Sequence, residues 1–237
     1  MDSPLPQAPH LLSPEPQLAE SRASEAQSSA EPAALWDMEA LAGRLVEISG
    51  PSPGRQPSSA ATAIWDITAP RDAGSAALTC ATSLLWKAQQ RGEPAAWISA
   101  RASTFFPPDL DDSGVDLAAL VVVRLGNAGA AARAADKLLR SGAFGLVILD
   151  LGRGAVPVPL LSRLLGLAQK HQAAVLFVTE KNEDAPSLAP LVSLRVVASR
   201  RRIGSDRFVC TTLASKDKRR APGWSNEETL RGPPGLR

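Results

Sequence analysis

The chain has 237 residues, a formal net charge of +2 and 44% hydrophobic residues, enough for one sizeable α/β domain with tails. Two cysteines, Cys80 and Cys210, show neither metal-ligand spacing nor the density of a secreted scaffold, which favours a reducing, cytoplasmic setting. No run approaches the ~20 apolar residues of a membrane helix, and the N-terminus carries no basic-then-apolar secretory pattern, so no membrane role is expected.

Residues 1–33 form the first segment. Residues 1–32 hold five acidic residues, one Arg and six prolines without an apolar period, a composition that cannot bury enough surface to offset ordering entropy, so a disordered tail is expected. A short helix over 34–42 with Leu35, Met38 and Leu41 inward leads to a strand, Arg44 to Ser49. The loop Gly50-Pro51-Ser52-Pro53-Gly54-Arg55-Gln56-Pro57-Ser58 follows, where nucleotide-binding proteins place G-x-x-x-x-G-K-[ST]. Gln56 stands where that frame has Lys and Pro57 where it has Ser or Thr, and Pro also removes a backbone donor from the anion nest. Arg55 offers a cation one position away. The loop reads either as a relict phosphate site or as a Gly/Pro surface turn, and the missing Lys favours the turn.

Residues 60–71 read as a strand or as an inserted flap. The spacing of Ala77, Leu78, Ala81, Leu84, Leu85 and Ala88 predicts a helix over 73–90, stopped by Gly92 and Pro94. A strand over 95–99 precedes Phe105-Phe106-Pro107-Pro108, a loop anchor or a partner patch, and an acidic turn over 109–116. Strands are predicted at 120–124, 146–150 and 174–179, separated by helices over 128–140 and 158–171. The uninterrupted apolar runs at 146–149 and 174–178 fit parallel strands covered on both faces. Two further strands, 191–199 and 207–213, read as an antiparallel extension. The domain is expected to span 34–220, with 221–237 a flexible Pro/Gly-rich tail from which Trp224 could reach a partner.

Among side chains with chemistry, Asp150 ends a strand where a metal ligand would be allowed, but without a partner hydroxyl the reading as a solvated or capping carboxylate is favoured. His10 and His171 form no catalytic pair, Cys80 reads as core, and no base accompanies Ser52, Ser58 or Ser59 for nucleophilic work. Residues 195–220 carry nine basic residues against two acidic ones, a local net charge of +7. Arg200, Arg201, Arg202, Arg207, Lys216, Lys218, Arg219 and Arg220 are therefore candidates for DNA or partner binding, through the phosphates that clustered cations neutralise. The alternative is a charged edge hairpin that resists unwanted pairing.

In this order, residues 43–222 resemble the RecA family. The resemblance is carried by Gly43-Arg44-Leu45-Val46-Glu47-Ile48-Ser49-Gly50-Pro51, Gly114-Val115-Asp116-Leu117, Leu138-Leu139-Arg140-Ser141-Gly142-Ala143 before Leu146 to Asp150, and Arg200-Arg201-Arg202-Ile203-Gly204 with Lys216-Asp217-Lys218. It implies a RecA-like three-layer α/β core with a mainly parallel sheet, helices on both faces and antiparallel C-terminal strands. Carried over by position, the family's phosphate-binding Lys falls on Gln56, its Mg²⁺-binding Thr on Pro57, its water-positioning acid on Arg101 and its polar sensor on Glu180. Only the Walker-B-type acid is kept, at Asp150. Losing Lys, hydroxyl and carboxylate together removes what phosphoryl transfer depends on, so no ATPase activity and no cofactor are expected. The loops after Asp150 and Thr179 are shorter than the family's DNA-binding loops.

A shortened core of this kind is similar to the ImuA family of accessory proteins in SOS mutagenesis. That resemblance implies a role in the DNA damage response and error-prone, translesion synthesis. The partners it implies are an ImuB-like polymerase homologue, RecA and an error-prone polymerase, with DNA as a further candidate. A divergent ATP-dependent recombinase using Arg55, and an SOS-type regulator using the core as a protein-binding surface, are the alternatives.

Overall fold

The computed structural model of the chain describes residues 36–50, 74–100 and 107–231. The predicted tail 1–33, the loop beyond Gly50, the 60–71 segment, Arg101 and the Phe105-Phe106 pair lie outside these residues. In chain order the elements are α1 (Met38–Leu41), β1 (Leu45–Gly50), β2 (Gly74–Ser75), α2 (Ala77–Gln90), β3 (Ala95–Ser99) and α3 (Pro107–Asp111). A 3₁₀ turn, Leu117–Ala119, then leads to β4 (Leu120–Arg124), α4 (Ala128–Ser141), β5 (Leu146–Gly152), α5 (Val158–His171) and β6 (Ala174–Glu180). The chain closes with β7 (Leu194–Arg202), β8 (Arg207–Asp217) and β9 (Ser225–Arg231).

The fold is α/β with one mixed sheet in the order β4-β3-β5-β6-β1-β7-β8-β9, β2 pairing with β7 off that path. Strands β4 through β7 in this order run parallel, whereas β7–β8 and β8–β9 are antiparallel. Helices cover both faces of the parallel part. Val46, Ile48, Trp97, Ile148 and Leu176 pack with α1, α2 and α3 on one side. Leu45, Ile98, Leu149, Val175 and Phe177 pack with α4 and α5 on the other. Successive side chains of a strand point to opposite faces, so the runs at 146–149 and 174–178 contribute to both cores, as their lack of polar residues requires.

Local signals set several boundaries. Asn127 caps α4, its Oδ1 accepting from the Ala130 N–H at 2.8 Å. Gly142 ends the same helix at φ 71°, a left-handed conformation that glycine adopts without a Cβ penalty. No helix among the described residues is long and apolar enough to cross a membrane.

Three expectations need correction. The 221–237 segment is not a tail throughout, because residues 225–231 form β9 along β8 from Leu213 to Arg207. Its sequence, Ser-Asn-Glu-Glu-Thr-Leu-Arg, has almost no apolar period, so backbone pairing with β8 rather than side-chain burial defines it. Trp224 and Leu230 pack against the α2-side core, so Trp224 docks within this domain. The C-terminal strands are also displaced from 191–199 and 207–213 to Leu194–Arg202 and Arg207–Asp217, carrying the arginines into the sheet. Finally, the helix predicted from residue 73 starts at Ala77, because Gly74 and Ser75 form β2 against Arg200 and Ser199.

Candidate functional site

Because β1, β3, β5 and β6 are parallel, their C-terminal ends share one edge of the sheet. That edge carries Gly50, Ser99, Asp150 to Gly152, and Glu180. The segment after β1 returns as α2 on one face, while the loop after β6 packs Leu188, Ala189 and Leu191 on the other. Neighbouring strands whose connections leave to opposite faces open a crevice between them, the usual ligand position in α/β sheets. By that rule the crevice position falls between Gly50 and Glu180, which pair in register.

Gly50 is buried, and a Cβ there would lie 2.7 Å from Ser75 Cβ and 3.1 Å from the Ala198 carbonyl. The packing of β2 is by itself enough to disfavour a side chain at this position. Gly50→Ala is expected to lower stability by about 1–3 kcal/mol, the usual cost of overpacking, measurable as a drop in melting temperature. Pro51, Gly54, Arg55, Gln56, Pro57 and Ser58 lie outside the described residues.

Asp150 sits half-buried at a register shift in β5, its carbonyl accepting from the Ala100 N–H at 2.9 Å. Glu180 meets Arg153 at 3.4 Å, tying the loop after β5 to the end of β6. Among the described residues, no group of three or more His, Cys, Asp or Glu side chains converges as a metal site would. Cys80 and Cys210 are both buried free thiols, and burial pushes both above the ordinary thiol range, so neither is poised as a thiolate nucleophile.

Just beneath the crevice lies a polar network that the sequence reading did not single out. Glu47, in the middle of β1, is fully buried. Its Oε1 meets Lys181 Nζ at 2.8 Å and accepts from Thr179 Oγ1 at 3.0 Å, while Oε2 accepts from the Leu188 N–H at 2.6 Å. Arg195, beside Glu47 in register on β7, donates to the carbonyls of Asn182, at 2.8 Å, and Ala185. Burial lowers the Arg195 guanidinium pKa, opposed by the negative charges of Glu47 and Glu183. These bonds hold the β6–β7 loop, residues 181–193, against the sheet. The available signal was an acidic residue inside an otherwise apolar strand, since a Glu is almost never fully buried unless paired.

The basic segment 195–220 divides into two groups. Arg195 pairs with Lys216 near the base of the β7–β8 hairpin, and Arg202 pairs with Phe208 near its tip. Seven residues of strand separate them, roughly 23 Å at the usual rise. At the base the cations hold backbone. Lys216 donates to Ser187 Oγ at 3.0 Å, Lys218 to the Pro190 carbonyl at 2.6 Å, and Arg219 to the carbonyls of Ala40 and Ala42 at 3.4 and 3.3 Å. Burial, then the Lys218 charge, push the Lys216 ammonium pKa down. Arg220 is exposed. At the tip, Arg200, Arg201, Arg202 and Arg207 are all exposed, and β7 carries them beyond the end of β1 on the same edge as the crevice. Comparison of the sequence with models of known families and with curated proteins finds no match.

Proposed function

We propose that this chain is a RecA-like accessory protein of the cytoplasm that supports the DNA damage response and error-prone, translesion DNA synthesis without turning over ATP. It acts through contacts made along the C-terminal edge of its sheet. The observation that carries the reading is the loop motif that begins at Gly50. Gly50 ends a central parallel strand at a crevice between connections of opposite face, where a phosphate-cradling loop would start, yet Gln56 and Pro57 occupy its Lys and hydroxyl positions. Phosphoryl transfer rests on positioned charge, and this frame supplies none of the usual groups.

The order of the resembling segments supports the same reading. Gly43 to Gly50 leads through β1, Gly114 to Leu117 leads into β4, Leu138 to Ala143 ends α4 before β5, and Arg200 to Gly204 forms the hairpin tip. The partners that fit are an ImuB-like polymerase homologue, RecA and an error-prone polymerase, with DNA contacted alongside them. Purified protein is expected to hydrolyse no ATP above blank, with or without single-stranded DNA, and deletion of the gene is expected to abolish damage-induced mutagenesis. DNA-stimulated hydrolysis would instead establish a divergent recombinase, and unchanged mutagenesis a regulator that uses the core as a binding surface.

A further inference from the structure

The arginines at the hairpin tip do not all face the same way. Arg207 stands opposite Arg231, and Arg201 is opposite Val209, which is itself opposite Thr229. The Ile203 N–H donates to the Arg207 carbonyl at 2.9 Å and closes the turn. With side chains alternating along each strand, Arg201, Ile203, Arg207 and Arg231 share one face. Arg200, Arg202 and Phe208 share the other, with Cys210 of the α2-side core. The second group is already engaged. Arg200 lies over the Phe208 ring, 5.7 Å from its centroid, and Arg202 donates to the Gly204 and Ser205 carbonyls.

The first group is not. Arg201, Arg207 and Arg231 are exposed, and among the described residues none of them forms a salt bridge. No residue of β8 or β9 belongs to the core beneath α4 and α5. Like charges directly opposite one another weaken a sheet, and here Arg207 faces Arg231 with no carboxylate between them. A bound polyanion would remove that repulsion. Guanidinium forks match phosphate oxygens in bidentate fashion. The face offers Ile203, Val209 and Thr229 beside the arginines, with Glu227 one row further along, accepting from Thr211 Oγ1 at 3.2 Å. It has no aromatic ring, so it lacks the stacking platform by which proteins hold single strands.

We propose that Arg201, Arg207 and Arg231 form a phosphate-backbone contact for duplex DNA, independent of sequence. The choice of DNA among polyanions rests on the function proposed above, whereas the site itself rests on the strand register. The two fail separately, since hydrolysis and mutagenesis assays test the function and a salt titration tests the site.

The experiment is fluorescence anisotropy of a labelled 20-base-pair duplex with the full chain, between 50 and 200 mM salt. Each neutralised phosphate contributes a slope of about −0.9 in log K against log salt, so three contacts give about −2.7. Arg201→Ala/Arg207→Ala/Arg231→Ala is expected to weaken binding at least tenfold at the lower salt and to remove most of the slope. The single variant Arg201→Glu is expected to weaken it several-fold. Lys218→Ala/Arg220→Ala, at the other end of the hairpin, is expected to bind as wild type. Circular dichroism spectra matching wild type establish that each variant is folded. No duplex binding by wild type at 50 mM salt, unchanged binding by the folded triple variant, tighter binding of a single-stranded oligonucleotide, or binding of polyglutamate in preference to the duplex would each overturn the assignment.

Discussion

Replacing Glu47 by Ala is expected to lower stability by about 3–5 kcal/mol, the range for breaking a buried ion pair by removing one partner, and to open the β6–β7 loop to trypsin at Lys181. The carboxylate is fully buried and accepts from Thr179 Oγ1 and the Leu188 N–H while meeting Lys181 Nζ. Removing it leaves the Thr179 hydroxyl and the Leu188 N–H without their acceptor beneath the loop, while Lys181 Nζ, 22% exposed, keeps only the Pro186 carbonyl at 3.3 Å. Unpaired buried donors cost more than the net worth of the bonds they made, so the loop is expected to detach and rehydrate them. For a chain of this size 1 kcal/mol shifts the melting temperature by about 2–4 °C, giving a drop of roughly 10 °C. Glu47→Gln keeps the shape and an acceptor but not the charge, and should fall between. If Glu47→Ala melts with wild type and the loop resists trypsin, the network does not hold the loop.

The second large effect is at Arg44 and Asp217, which meet at 2.6 Å with side chains only 5% and 2% exposed. Asp217 Oδ1 also accepts from the Arg219 N–H at 3.0 Å, and Oδ2 from the Trp224 indole at 3.2 Å. One carboxylate thus joins the start of β1, the end of β8 and the approach to β9. Arg44→Ala is expected to cost about 3–5 kcal/mol by thermal melting, while Arg44→Met with Asp217→Leu should recover only part of that loss, because an apolar pair can replace the ion pair but leaves the Arg219 N–H and the Trp224 indole without their acceptor.

Burial alone would raise the Asp217 carboxyl, but the Arg219 N–H, the Arg44 guanidinium and the Trp224 indole outweigh it and hold the group below its ordinary range. A carboxyl depressed by folding stabilises the fold above its unfolded value of about 3.9. That contribution disappears as pH falls through the lower folded value. Urea midpoints measured from about pH 5 down to about pH 2 should therefore fall steeply in wild type and less so in Asp217→Asn. Parallel titrations of the two proteins would show that Asp217 does not link acid to unfolding.

Much of the parallel core was legible in the chain itself. The runs at 146–149 and 174–178 have no polar residue to turn toward water, so they declare burial on both faces, and Asn127 and Gly142 mark the ends of α4 by local chemistry. β9 was hidden because Leu230 is the one apolar residue between Ser225 and Arg231, too few to set a period, and the strand depends on pairing with β8. Glu47 was visible as an anomaly within β1, but Lys181 and Leu188 are far away in sequence and meet it only when β6 lies beside β1.

The candidate site divides in the same way. Residue pattern alone carries the alternation of strands and helices, the absence of Lys and hydroxyl from the loop frame after Gly50, and the density of cations between 195 and 220. Tertiary structure alone decided that Gly50 is glycine to admit Ser75, that Lys216, Lys218 and Arg219 hold backbone, and that Arg231 joins Arg201 and Arg207 on an open face. Charge and apolarity are written residue by residue. Strand register is a relation between distant segments, and it sets which side chains become neighbours.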